Sequence, residues 1–272
     1  MSSALVALRE HLPEGVPVPA RWLHTQGISS ALIHHYVQSG WLSALPGQAY
    51  LRPGPPLTWS AALYAAQQVG IPVHVGHLTA LGLHGLTHYQ PLGAREALHL
   101  YLPQRPPSWL GQLPDRLIWH REQVVHEDAP WEFLAPDTLR RPATERPVSR
   151  KLGLTTAPRL TWPVYVSTPE RAALELAAGL TRGESWDTAY ETFTGLTMLR
   201  PGLVRDLLLA CTRVVTRRVF LHLAQTSAHV WLAHVDLEGV DLGRGDRQVV
   251  PGGRLDPVWR ITVPRGEVDH GF

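Results

Sequence analysis

The stretch GISSALIHHYVQSGWLSALPGQAYLRPG, residues 27–54, constrains the fold more than any other part of the chain. Gly27 suits the left-handed backbone of a tight turn between helices, and Ser29 or Ser30 follows as the cap of a new helix. In that helix Leu32, Ile33, Tyr36, Val37 and Gly40 share one side, while Ala31, His34, His35 and Gln38 share the other. One side belongs to a core and the other is presented. Two apolar runs around Pro46 and Gly47 then predict a β-hairpin. Upstream, SALVALREHL carries a stripe of Leu5, Leu8 and Leu12 ended by Pro13 and Gly15, and VPARWLHTQG predicts a short helix opening near Pro19. Helix, helix, presented helix and hairpin make a winged helix-turn-helix pattern, whose third helix enters the major groove of DNA.

LTWSAALYAAQQVG predicts a fourth helix that closes this small core with Trp59, Leu63 and Tyr64. HVGHLTALGLHGLTHYQ follows as a short helix and an exit loop ending near Pro91. New territory opens with the strand-like EALHLYLP, is broken by Pro103, Pro106 and Pro107, and continues in DRLIWHREQVV as one or two strands. VYVSTPERAALELAAG announces a helix with Thr168 as cap, Pro169 in the first helical position, Glu170 in the first turn and Gly179 past the end. Helices are expected in SWDTAYETFTGL, PGLVRDLLLACTR and RRVFLHLAQ, and turns and strands in the Gly-rich tail. With 272 residues, 44% of them apolar, the chain can build two cores. The expectation is an α+β protein, with a winged helix-turn-helix domain over residues 1–92 and a larger mixed α/β domain over residues 97–272.

A DNA-binding reading must find its positive charge, because the third helix contains neither Lys nor Arg and the net charge is only +2. Up to residue 100 there are Arg9, Arg21, Arg52 and Arg95 against Glu10, Glu14 and Glu96. The candidate DNA-binding residues are Ser29, Ser30, Ala31, His34, His35 and Gln38 on the presented helix and Gln48 in the hairpin, with His34, His35 and Gln38 facing the groove and Arg21 and Arg52, with Arg9, near the phosphates. Further charge is available from Arg213, Arg217 and Arg218, and from Arg244, Arg247 and Arg254 in the glycine-rich segment. A Pro-broken basic stretch between Leu139 and Arg159, with Arg140, Arg141, Arg146, Arg150, Lys151 and Arg159 opposed by Glu145, reads first as a solvated connector and second as a nucleic-acid strip.

His74, His77, His84 and His88 have spacings that zinc sites use. No Cys, Asp or Glu lies close by in sequence to reinforce them, so core histidines are the favoured reading, with a metal-dependent enzyme as the alternative. LGRGDRQVVPGG lacks the flanking strand and helix of a phosphate cradle and reads as a turn. Nucleophile elbows, zinc-protease motifs and the spaced aspartates of nucleotidyltransferases are missing, so no catalysis, metal or cofactor is expected. Cys211, the lone cysteine, sits beside Leu207–Leu209 as a buried small residue. Without a signal-peptide pattern or a bilayer-length apolar run, the expected location is the cytoplasm.

GISSALIHHYVQSGWL, GQAYLRPG, VHVGHLTALGLHGLTHY, STPERAALEL, LRPGLVRDLLLACTRVVTRRVFLHLA and LGRGDRQVVPGGRLDPVWRITVP together resemble the AbiEi family of antitoxins from type IV toxin–antitoxin and abortive-infection operons. The blocks occur in order over nearly the whole chain. This resemblance implies an amino-terminal winged helix that represses the operon's own promoter at inverted repeats. It also implies a carboxy-terminal antitoxin domain opposing a nucleotidyltransferase-like toxin, without a stable complex being required. Thr216 and Asp246 depart from the family, which often carries Lys there. A stand-alone transcriptional regulator without a toxin is the alternative reading.

Overall fold

The computed structural model describes residues 3–86, 97–126, 152–157 and 160–266. Helix α1 (Ser3–His11) leads to Leu8 and Leu12 in the core, and the chain turns back through Gly15 at φ 71°. Strand β1 (Pro17–Pro19) comes next, then helices α2 (Ala20–Thr25) and α3 (Ser30–Gln38) and the hairpin β2 (Ser43–Leu45) with β3 (Ala49–Leu51). The three strands form an antiparallel sheet in the order β1-β3-β2. Two prolines made β1 invisible as a strand in the sequence. They are tolerated because β1 is at the sheet edge, with Val18 between them paired to Tyr50.

Helix α4 (Trp59–Gln68) is capped by the Thr58 hydroxyl, which accepts from the Ala61 amide at 3.3 Å. It is buried from Ser60 through Gln68, and the small side chains of Ala61, Ala62, Ala65 and Ala66 let neighbours approach it closely. Buried Gln67 donates from Nε2 to the Val73 carbonyl at 2.8 Å and accepts from the Tyr165 amide at 3.0 Å. This one side chain ties α4 to two segments of the next layer.

That layer is a five-stranded mixed sheet in the order β6-β5-β4-β8-β7, made of β4 (His74–Val75), β5 (Ala97–Tyr101), β6 (Arg116–His120), β7 (Leu154–Thr156) and β8 (Tyr165–Ser167). Its central strand, β4, and the following helix α5 (His77–Leu83) precede residue 92 in the chain, yet they pack among strands and helices that follow residue 97. One hydrophobic cluster accordingly joins Trp22, Ile33 and Leu63 to Val75, Leu100 and Val166. A second surrounds α6 (Pro169–Leu180), α7 (Trp186–Thr194), α8 (Pro201–Ala210) and α9 (Val214–Thr226), and takes in Ile261 and Val263 of the tail, where β9 (Arg254–Leu255) pairs with β10 (Thr262–Val263). Cys211 is buried there, and that burial raises its thiol pKa.

Three sequence expectations need correction. Gly179 lies inside α6, which runs on to Leu180; a Cβ there would stand 2.2 Å from Glu184 Oε2, so close packing and not chain termination requires glycine. Thr168 occupies the cap position of α6, but its hydroxyl makes no capping bond. Gly40, on the core side of α3 by spacing, is exposed, with φ 75°, and turns the chain out of the helix.

Candidate nucleic-acid interface

The presented helix is built as a rigid platform. Ser29 caps α3 by accepting from the Leu32 amide at 3.3 Å, and Ile33 and Tyr36 anchor the opposite side in the core. Ser30, Ala31, His34, His35 and Gln38 are all exposed. Gln38 and His34, one turn apart, meet at 2.9 Å between their Nε2 atoms. Donation from the amide makes His34 Nε2 the acceptor, so the imidazole proton sits on Nδ1 and points away from Gln38. His34 thereby keeps a donor and Gln38 an acceptor on exposed side chains, group types that can pair with base edges. Trp41, 39% exposed, extends the surface past the helix end.

The hairpin turn, Pro46 to Gln48, takes left-handed backbone at Gly47 (φ 77°) and Gln48 (φ 57°). The Gln48 carbonyl accepts from the Ala20 amide at 2.8 Å, leaving its side chain exposed. The turn is therefore pinned to the start of α2.

Cations in this region are partly committed within the fold. Arg52 donates to the carbonyls of Arg9 (3.2 Å) and Leu12 (2.8 Å) and pairs with Glu14 at 3.0 Å; its side chain is 14% exposed. It satisfies carbonyls at the end of α1, where a positive charge also meets the negative end of the helix dipole. Arg21, though exposed, donates to the Val69 carbonyl at 3.0 Å, at the end of α4. The sequence shows two cations close to the presented helix but not the helix ends they close.

Carboxy-terminal arginines are likewise engaged within the fold, Arg247 through the Asp246 carbonyl at 3.0 Å. Arg217 donates to the carbonyls of Leu208 and Asp241 at 2.8 and 2.7 Å, and Arg218 to those of Leu242 and Gly245 at 2.6 and 2.7 Å. Both hold the tail against α9. Arg213 lies 3.5 Å from Glu122. Arg244, Arg247 and Arg254 are exposed in the glycine-rich segment, where Gly243 and Gly245 take positive φ and make turns. Asp246 pairs with Arg260 at 2.7 Å, and Thr216 is buried, so neither departure from the family's lysines adds positive surface.

Of the four spaced histidines, His74, His77 and His84 each meet a different partner; His88 lies outside the described residues, as does the basic stretch apart from residues 152–157. His74 Nε2 donates to Glu175 Oε1 at 2.9 Å, and His84 Nε2 to the Ser167 carbonyl at 2.9 Å. His77 Nε2 is 2.8 Å from Glu184 Oε2, an ion-pair distance without hydrogen-bond alignment. No group of three or more metal-capable side chains converges among the described residues. The fold instead gathers a polar cluster the sequence reading missed. Glu175, fully buried, accepts from His74, Ser167, Arg171 and the His77 amide. Burial favours its neutral form, but these donors and the Arg171 charge outweigh it and hold the pKa down to about 2. Beside it His77, His99 and His120 stack, with 4.3 Å between the centroids of His77 and His99. Arg182 donates to His120 Nδ1 at 3.3 Å, and His120 Nε2 then donates to His99 Nδ1 at 2.9 Å. Burial, and then neighbouring positive charge, pushes His99 down to about 3 and His120 down to about 4. Alternation in ALHLY places His99 on the same strand face as Tyr101, a signal in the sequence, but Glu175 is 101 residues from His74.

Two family models match the chain. Residues 1–92 match a family model described as a transcriptional regulator, AbiEi antitoxin N-terminal domain; residues 95–264 match one described as a transcriptional regulator, AbiEi antitoxin, of type IV toxin–antitoxin systems. No curated protein matches the chain. Among solved structures, the crystal structure of the RV2827C protein from Mycobacterium tuberculosis is similar over 94% of this chain and 88% of that one, with a TM-score of 0.54 at 15% identity. At that identity the likeness concerns the fold alone.

Proposed function

Because the chain belongs to the AbiEi antitoxin family of transcriptional regulators from type IV toxin–antitoxin systems, we propose that it binds the promoter of its own operon through the winged helix and represses it. The observation that carries this reading is the α3 face: Ile33 and Tyr36 lock the helix in place while His34, His35 and Gln38 stand exposed together. Ser29, Ser30 and Ala31 flank them at the helix start, and Gln48 and Arg21 are exposed as well. Residues 1–92 thus read DNA, and Arg244, Arg247 and Arg254 of the second unit add phosphate contacts. Arg52, Arg217 and Arg218 are better placed to hold the fold.

The segment from 97 to 272 carries, in this proposal, the antitoxin activity that opposes a nucleotidyltransferase-like toxin encoded in the same operon, in the cytoplasm. No helix among the described residues is long and apolar enough to cross a membrane. The DNA half is tested by titrating the protein against a duplex carrying the DNA upstream of its own gene and against a scrambled duplex. His34→Ala with Gln38→Ala should reduce the preference between them by roughly 1–3 kcal/mol. Undiminished preference would overturn the assignment of the reading face. For the antitoxin half, co-expression with the neighbouring nucleotidyltransferase should restore growth; continued arrest despite soluble antitoxin would overturn it.

A further inference from the structure

The tip of the wing is not solitary. Pro46, Gly47 and Gln48 are exposed, yet Gly47 lies so close to Ser108 that a Cβ on the glycine would stand 2.6 Å from the serine Oγ. Ser108 opens a 3-10 turn, Ser108–Gln112, whose Trp109 and Leu110 are buried in the cluster that also holds Trp22 and Ile33. The contact is thus anchored by a shared core. Just before it, Pro103, Gln104 and Arg105 are exposed. The loop is rooted at one end by buried Leu102, whose amide donates to the His120 carbonyl at 2.9 Å, and at the other by Ser108. Pro106 and Pro107 stiffen it: Pro107 has φ −57° and ψ 139°, and Arg105, preceding a proline, is biased to extended backbone. Three Cα-to-Cα steps lead from Arg105 to Ser108, a span of at most about 10 Å.

Arg105 makes no hydrogen bond or ion pair with the described residues. It therefore differs from Arg21 and Arg52, which give donors to the ends of α4 and α1. We propose that residues 103–108 form a second wing, which sets Arg105 against a backbone phosphate of duplex DNA beside the turn Pro46–Gln48. This rests on the reading that α3 enters the major groove. It supplies, from the larger unit, a cation that the presented helix lacks, and it makes the docking of the wing on Ser108 part of the DNA surface.

Salt titrations of the full-length protein on promoter and scrambled duplexes test the proposal. One neutralised phosphate contributes a slope of about −0.9, so Arg105→Ala should weaken binding to both duplexes about eightfold at roughly 0.1 M salt and make the slope shallower by about 0.9. Arg105→Lys should keep the slope, and the thermal midpoint of either variant should match the parent, since the side chain is exposed. Unchanged affinity and slope in Arg105→Ala, with operator preference still lost in His34→Ala/Gln38→Ala, would overturn the second wing and leave the reading helix standing. A Lys variant as weak as the Ala variant would overturn the role of charge at this position. Parent protein that binds neither duplex would overturn the DNA reading and the second wing together.

Discussion

Arg52 and Arg218 show how an arginine can serve the fold. A guanidinium that finds several backbone carbonyls in fixed positions gains charge-assisted hydrogen bonds and becomes part of the fold. Arg52→Ala leaves the Arg9 and Leu12 carbonyls without this donor and removes the pairing to Glu14; it should cost roughly 2 kcal/mol of stability while leaving the salt slope of DNA binding unchanged. Chemical denaturation together with a salt titration checks both halves. Loss of slope with full stability would mean that Arg52 turns outward on DNA. Arg218→Ala should likewise lower the thermal midpoint, because its guanidinium joins α9 to the carbonyls of Leu242 and Gly245.

Elements join through backbone that comes unusually close to side chains. The junction of β4 and α5 is the sharpest case: a Cβ on Gly76 would lie 2.2 Å from Glu175 Oε2 and 2.6 Å from the Tyr101 ring. Glu175 cannot yield cheaply, since its carboxylate holds His74, Ser167, Arg171 and the His77 amide in a buried site. Gly76→Ala should therefore destabilise the protein by about 3 kcal/mol or more, measurable by urea denaturation. A variant as stable as the parent would show that α5 can shift away from α6. In sequence terms, the helices were legible because their apolar spacing and caps are local. Gly179 is the complementary case: glycine near a helix end suggests termination, whereas here the Glu184 side chain occupies the space a Cβ needs.

Across the whole molecule, the histidine stack ties stability to pH. His99 and His120 have folded pKa values of about 3 and about 4, below the value near 6.5 of an unfolded chain. Unfolding consequently takes up protons between these limits. The contribution is fully present above about pH 6.5 and is lost as pH falls from there toward the folded values. The thermal midpoint should decline between pH 7 and pH 5, before ordinary carboxylates titrate; a flat profile over that range would show that both imidazoles ionise freely in the folded chain. The shared core has its own consequence. Cutting the chain after residue 92 removes β5 and β8, which flank β4, and exposes apolar faces that meet Leu100 and Val166. Such a fragment should unfold less cooperatively than the full chain, and a sharp calorimetric transition near the parent's midpoint would argue against that coupling.

By itself the sequence determined the winged-helix pattern, the two-sidedness of α3, the second, mixed α/β portion and the family, because helix caps, alternating strands and ordered sequence blocks are local or linear signals. Tertiary structure alone decided which charges remain available. It turned Arg52, Arg217 and Arg218 inward, brought Glu175 to His74 across 101 positions, and set the wing against Ser108. The physical reason is that a side chain's partners depend on which backbone carbonyls, helix ends and buried groups folding places within hydrogen-bonding reach, and composition and periodicity do not encode those distances.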